Sequence, residues 1–282
     1  MTFPIIPMGD WVNSFVDWLM LTFSAVFDGI SFVINVVLSG IESLLLWCPW
    51  WIVILAFGLL AWRVARWRVA IFVVLGFFFI GTLGVWDRAM ETLALIATAV
   101  LISVAFAIPM GIWAARSDTV EKTLRPILDA MQTMPAFVYL IPAIMFFGIG
   151  KVPGVIATVI FAMPPGVRLT NLGIRQVPVD VVEAGKAFGS TSRQLLFKIQ
   201  IPMAIPTIMA GVNQTIMMAL SMAVIGAIIG AGGLGYEVYH GISRIDVGRG
   251  FIGGISIVII AMILDRLTAA MGKPRRRKAL AE

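Results

Sequence analysis

The chain has 282 residues, 60% of them hydrophobic and 13% charged, with a mean hydropathy of +0.99. A soluble fold of this size needs far more polar surface over its core, so the composition implies a multi-span membrane protein. The net charge of +6 gives no case for nucleic acid, because the 21 basic residues sit in short segments beside apolar runs. That distribution sets membrane orientation. The runs suit helices of about 20 residues rather than barrel strands of about 10 with alternating polarity. The class is therefore all-α and polytopic, with a lipid bilayer as its surroundings. A single cysteine, Cys48, excludes an intrachain disulfide and reads as core filler. The first residues, MTFPIIPMGDW, lack a basic n-region, and no cleaved signal peptide is expected.

Residues 1–43 form the first unit. Asp10, Asn13, Asp17, Ser24, Asp28, Ser31, Asn35 and Glu42 recur at spacings of three, four or seven, or multiples of these, drawing one polar stripe on a long apolar helix. Such a helix can lie in the outer interface with its stripe towards water. The alternative is an eighth span whose stripe faces protein.

Seven spans come next, at about 44–62, 69–86, 92–115, 129–150, 152–168, 205–230 and 251–271. The first two make a peripheral pair (44–86), and residues 87–272 form the core, with a loop at 169–204 and a basic tail at 273–282. If the tail is cytoplasmic, 17 basic residues fall inside and four (Arg88, Lys151, Arg244, Arg249) outside, which accounts for all 21. The split puts the C-terminus in the cytoplasm, the N-terminus outside and the 169–204 loop inside the cell. The tail Lys273-Pro-Arg-Arg-Arg-Lys278 suits a membrane-surface anchor, worth roughly 1 kcal/mol per charge near anionic lipid.

The 169–204 loop holds the most informative segment, EAGKAFGSTSRQLLFKIQIP at 183–202. A short helix is predicted over 180–190, starting after Pro178 with Asp180 as N-cap and Glu183 in its first turn. Ala184, Gly185 and Ala187 are small enough for close approach to a partner, and Phe188 supplies one bulky contact. Gly189 can end the helix in a left-handed conformation. A second helix, Thr191 to Gln200, leads to Pro202 and the next span. The skeleton Glu183-Ala184, Gly189, Ile199, Ile201 and Pro202 resembles the cytoplasmic loop by which bacterial ABC importer permeases dock onto their ATPase. Gly185 stands where that family usually has a second alanine, and Ile201 where it has leucine. The resemblance implies that Glu183, Ala184, Gly185, Lys186, Ala187, Phe188, Gly189, Ser190 and Pro202 couple the chain to an ATPase.

The resemblance extends over roughly residues 87–270. The runs LDAMQTMPAFVYLIPAIMFFGIG (128–150), VIFAMPPGVRLTNLGIRQVP (159–178), GVNQTIMMALSMAVIGAIIGAGGLG (211–235), GISRIDVGRGF (241–251) and ILDR (263–266) are similar to permeases of glycine betaine/proline betaine osmoprotectant ABC importers. That resemblance implies a type I importer core of five helices, here spans three to seven. It further implies a homodimer of permeases, two ATPase subunits that bind ATP and Mg, and a substrate-binding protein outside a bacterial or archaeal cytoplasmic membrane. No catalytic residue, cofactor or metal is expected on this chain. It has no GxxxxGK[ST], HExxH or CxxC pattern, and His240 is its one histidine.

Within the spans, polar side chains are few. Asn213, Met217, Leu220, Ser221 and Val224 share a stripe about 100° wide on one helix, which either lines a route at a dimer axis or joins helices. Gln132 is a further route candidate. At the outer end, Tyr236, Tyr239 and Arg244 of the 236–250 loop are candidates for contact with the binding protein. Eight of the nine Trp lie towards span ends, as interface belts do, and show no aromatic cage.

Overall fold

A computed structural model describes residues 7–272, which contain no strand; the basic tail at 273–282 lies outside the described residues. α1 (Met8–Trp47) is one 40-residue helix whose geometry breaks at Phe23 (φ −115°, ψ 21°). Pro49 separates it from α2 (Trp50–Val64), so the first expected span begins at 50, and its residues 44–47 are the end of α1. α2 pairs with α3 (Trp67–Thr82), and both are apolar but short, at 15 and 16 residues.

α4 (Trp86–Arg116), α7 (Lys151–Arg175) and α10 (Ile201–Gly226) make the packed centre. Small residues let their backbones approach. A Cβ added at Gly111 of α4 would lie 2.5 Å from Thr170 Cβ of α7. α7 runs two turns past the expected end at 168, because Thr170, Gly173 and Ile174 are buried, and Arg168 is neutralised by Asp129 at 2.5 Å. α12 (Val247–Met271) packs on α10 and on the α2–α3 pair.

Two expectations are corrected. The span expected at 129–150 is not one helix. α5 (Asp118–Thr133) ends before Pro135, a 3-10 turn (Ala136–Tyr139) follows, and α6 (Leu140–Phe147) completes a segment bent by 108° from α5. Proline disfavours the helical conformation of Met134, whose ψ is 134°. Residues 236–250, read as a loop, mostly form α11 (Gly233–Arg244), which folds back against α12.

Length and hydropathy qualify α1 as a spanning helix, and its surface has three distinct sides. Phe27, Ile34, Leu38, Ile41 and Leu45 face the bundle. At about 100° per residue, Ser24, Asp28, Asn35 and Glu42 lie roughly 80° to one side of them. Val26, Phe32, Val33, Val36, Leu44 and Trp47 are exposed on the remainder. Asp10, Asp17 and Asp28 are exposed and make no ion pair among the described residues, and each would cost about 2.5 kcal/mol or more if it faced hydrocarbon. Phe27 stacks on Phe146 at 4.8 Å and Glu42 pairs with Lys151 at 2.5 Å, so both contacts fall on the α6–α7 turn.

Candidate functional site

α7 delivers the chain to α8 (Val179–Ala187) at one end of the bundle. Pro178 is the N-cap, which leaves Asp180 inside the first turn and Glu183 one turn further on, contrary to the expected capping role of Asp180. A proline is tolerated here because an N-cap amide has no intrahelical acceptor, so its missing N–H costs nothing. The end of α8 matches expectation. Gly189 takes φ +78°, and the amides of Phe188 and Ser190 donate to the carbonyls of Ala184 (3.0 Å) and Gly185 (3.1 Å).

Gly185 corrects the reading of the small residues. It is buried, and a Cβ there would lie 2.7 Å from Ile199 Cδ1 and 2.9 Å from Leu195 Cδ1. The glycine therefore seats α8 on its own chain, while Glu183, Ala184, Lys186 and Ala187 face outward. Phe188 is 91% exposed, an aromatic ring presented bare at the end of a short helix.

The segment under α8 is rigid. Thr191 and Gln194 form a capping box, with Gln194 Oε1 accepting from the Thr191 amide at 2.9 Å. The second helix starts where expected as α9 (Ser192–Leu195), passes into a π-helical turn over 196–200 and runs without a break into α10. Pro202 lies exposed in the first turn of α10 and does not interrupt it. Gly185 thus packs α8 against Leu195 and Ile199 of the segment that runs into α10.

Along α10 the structure reassigns the expected stripe. Asn213 donates to Asp265 Oδ1 of α12 at 2.9 Å and accepts from the Thr268 hydroxyl, so it joins two helices. Leu220 is buried, and Met217 is half-buried against the core. Ser221 is exposed and donates to the Met217 carbonyl at 3.2 Å. The open face instead runs through Met203, Pro206, Ala210, Gln214, Ser221 and Ile228. Gln214 is a polar residue of this face outside the expected stripe, and its seven-residue spacing from Ser221 was the available signal. Gln132 is exposed too, just before the break at Pro135.

At the opposite end, α11 is tied to α4. Thr92 Oγ1 accepts from the Leu234 amide at 2.7 Å and Glu91 Oε2 from the Gly233 amide at 2.9 Å. Tyr236 is half-buried. Its ring lies between the guanidiniums of Arg88 (5.0 Å) and Arg249 (5.9 Å), while Glu237 pairs with Arg249 at 2.5 Å and Arg88 at 3.6 Å. The hydrogen bond to Glu237 holds Arg249 firmly charged. Desolvation, then the Arg249 and Arg244 cations, keep His240 below the usual imidazole range. Tyr239 and Arg244 are exposed. No group of three His, Cys, Asp or Glu able to hold a metal occurs among the described residues.

Residues 107–277 match the family model described as "Binding-protein-dependent transport system inner membrane component". The chain belongs to that family. The permease is 50% identical over 97% of its length to the glycine betaine/proline betaine transport system permease protein ProW of Escherichia coli (strain K12), covering 77% of that protein. It is 52% identical to the glycine betaine transport system permease protein OpuAB of Bacillus subtilis (strain 168), covering 94% of each chain. Among solved structures it resembles an inward-facing form of the MetNI methionine ABC transporter, with a TM-score of 0.61 and 21% identity over 66% of this chain and 95% of that one. That likeness is one of fold. The permease is thus a membrane-spanning transport subunit with a type I importer core and an N-terminal amphipathic helix.

Proposed function

We propose that this permease moves glycine betaine or proline betaine into the cell, as a homodimer driven by two ATPase subunits and fed by an extracytoplasmic binding protein. The observation that carries the substrate class is the 50–52% identity to two betaine permeases over at least 94% of the chain. ATP and Mg belong to the ATPase chains, and this chain contributes no catalytic group. α8 is the coupling helix, with Phe188 as its bulky contact and Glu183, Ala184, Lys186 and Ala187 around it. Gly185, Gly189 and Ser190 hold that helix in place rather than meet the partner, and Pro202 stands in the first turn of α10. Gln132, Gln214 and Ser221 are the polar side chains that would line the solute route. Reconstituted with ATPase and binding protein, the complex is expected to accumulate labelled glycine betaine at least tenfold over an ATP-free control. Uptake of choline or carnitine with no betaine uptake would move the substrate class.

The orientation rests on the 17-to-4 distribution of basic residues. Single cysteines at Ser117 and Ser190 in a Cys48→Ala background are expected to resist impermeant thiol reagents added outside, whereas one at Ser243 reacts. Labelling at Ser190 from outside would invert the topology and remove α8 from the ATPase side.

A further inference from the structure

We propose that the tip of the α11–α12 hairpin, with Ile242, Ile245 and Val247 as its apolar contacts, is the knob on which the extracytoplasmic binding protein docks. The inference rests on the transport reading and orientation above, and adds the surface and its chemistry.

Three contacts, converted at about 1.5 Å per residue, place this tip beyond the end of the bundle. Gly76 of α3 meets Ile259 and Ile263 of α12. From that level α3 has about 9 Å left to Thr82, whereas α12 has about 21 Å left to Val247. Gly272 meets Met209 and Pro206, leaving about 28 Å of α10 to Gly226 against about 37 Å of α12 to Val247. Gly233 sits on Thr92, about 9 Å below the start of α4, and α11 then rises about 16 Å to Arg244. The hairpin therefore stands roughly 7–12 Å past its neighbours, above the helix ends that mark the edge of the hydrocarbon.

On that tip Ile242, Ile245 and Val247 are 72%, 87% and 80% exposed. Ile245 also has φ +57°, the left-handed region where a β-branched residue is a true outlier. The turn that imposes this is locked. The Asp246 amide donates to the Gly241 carbonyl at 2.8 Å, Asp246 caps α12 by accepting from the Arg249 amide at 3.0 Å, and Gly241 lies against Gly250. At its base the Arg88–Glu237–Arg249 cluster fixes the hairpin to α4. A strained, rigid turn that shows bare aliphatic groups to water is a preformed contact surface. Exposed Arg244 and Asp246 give it a charged rim of both signs. The occupant comes from water, because the tip lies beyond the bundle, at the end opposite α8, in a family defined by dependence on a binding protein. The matching surface on that protein is a shallow apolar socket with charges opposed to Arg244 and Asp246.

The test titrates the permease–ATPase complex, in lipid nanodiscs, with purified glycine-betaine-binding protein and follows ATP turnover. Ile242→Ser with Val247→Ser is expected to raise the half-maximal concentration about tenfold or more, and so is Ile245→Gly. The glycine relieves the backbone, so a merely structural role for Ile245 would not weaken docking. Midpoints within twofold of wild type in both variants overturn the proposal. A cysteine at Ile245, in the Cys48→Ala background, should cross-link to the binding protein. Cross-linking to a second copy of this chain, or quenching of a label there by brominated lipid, overturns it. A wild-type complex that no binding protein stimulates overturns the transport reading itself, a result distinct from a shifted midpoint.

Discussion

Phe188→Ala is expected to cut solute-stimulated ATP turnover by about 30-fold and to weaken co-purification with the ATPase, while the permease remains folded in the membrane. The ring is 91% exposed and contributes almost nothing to its own chain, so its removal cannot act through stability. A central aromatic contact is worth about 2 kcal/mol or more in an interface, which sets the expected factor. Gly189→Val tests the other half of the device. It puts a β-branched residue at φ +78°, costing about 1–2 kcal/mol, and so unwinds the end of α8 that presents Phe188. Glu183→Lys, on the outward face, is expected to uncouple in the same direction by reversing a charge. Normal stimulated turnover in all three variants, with normal assembly, would show that α8 is not the coupling element.

The helices of the 178–200 segment were legible because their signals are local. Pro178, Gly189 and the Thr191–Gln194 box each act within four residues, and the structure places a helix boundary at every one. What was not legible is the direction in which Gly185 points. It looked like one of three small residues offered to a partner, but its neighbours are Ile199 and Leu195, ten or more residues on. The same limit explains the fourth span. The apolar run at 134–150 masks the break, and the 108° bend comes at Pro135, with α5 held against α7 by the Arg168–Asp129 and Arg175–Glu121 pairs. The polar stripe of α1, by contrast, was legible as a periodicity, and the structure adds which side of the helix packs on the bundle. α11 was missed because a glycine-rich, weakly apolar run reads as a loop unless the partners that hold it, Thr92 and Glu91, are in view.

Asn213 and Gln214 are adjacent, polar and alike in sequence, yet their substitution is expected to give opposite phenotypes. About 100° apart on α10, they face different surroundings. Asn213→Leu strands a half-buried carboxylate at Asp265, deprived of its partner inside the bundle, whereas the Thr268 hydroxyl keeps the Leu264 carbonyl at 2.8 Å. An unsatisfied polar group of this kind costs about 1–3 kcal/mol, and more when charged. Assembled protein should therefore fall several-fold, with uptake per assembled complex little altered. The double variant Asn213→Leu with Asp265→Leu should recover most of the yield, because replacing both partners by apolar groups removes the stranded charge. Gln214→Leu should behave in the reverse manner. Gln214 lies on the open α10 face with Ser221, so the yield should hold while betaine uptake drops about tenfold. Such a drop corresponds to roughly 1.4 kcal/mol, the scale of one lost polar contact along the route. Wild-type uptake in Gln214→Leu and Ser221→Leu, both fully assembled, would make the α10 face a packing surface and place the solute elsewhere.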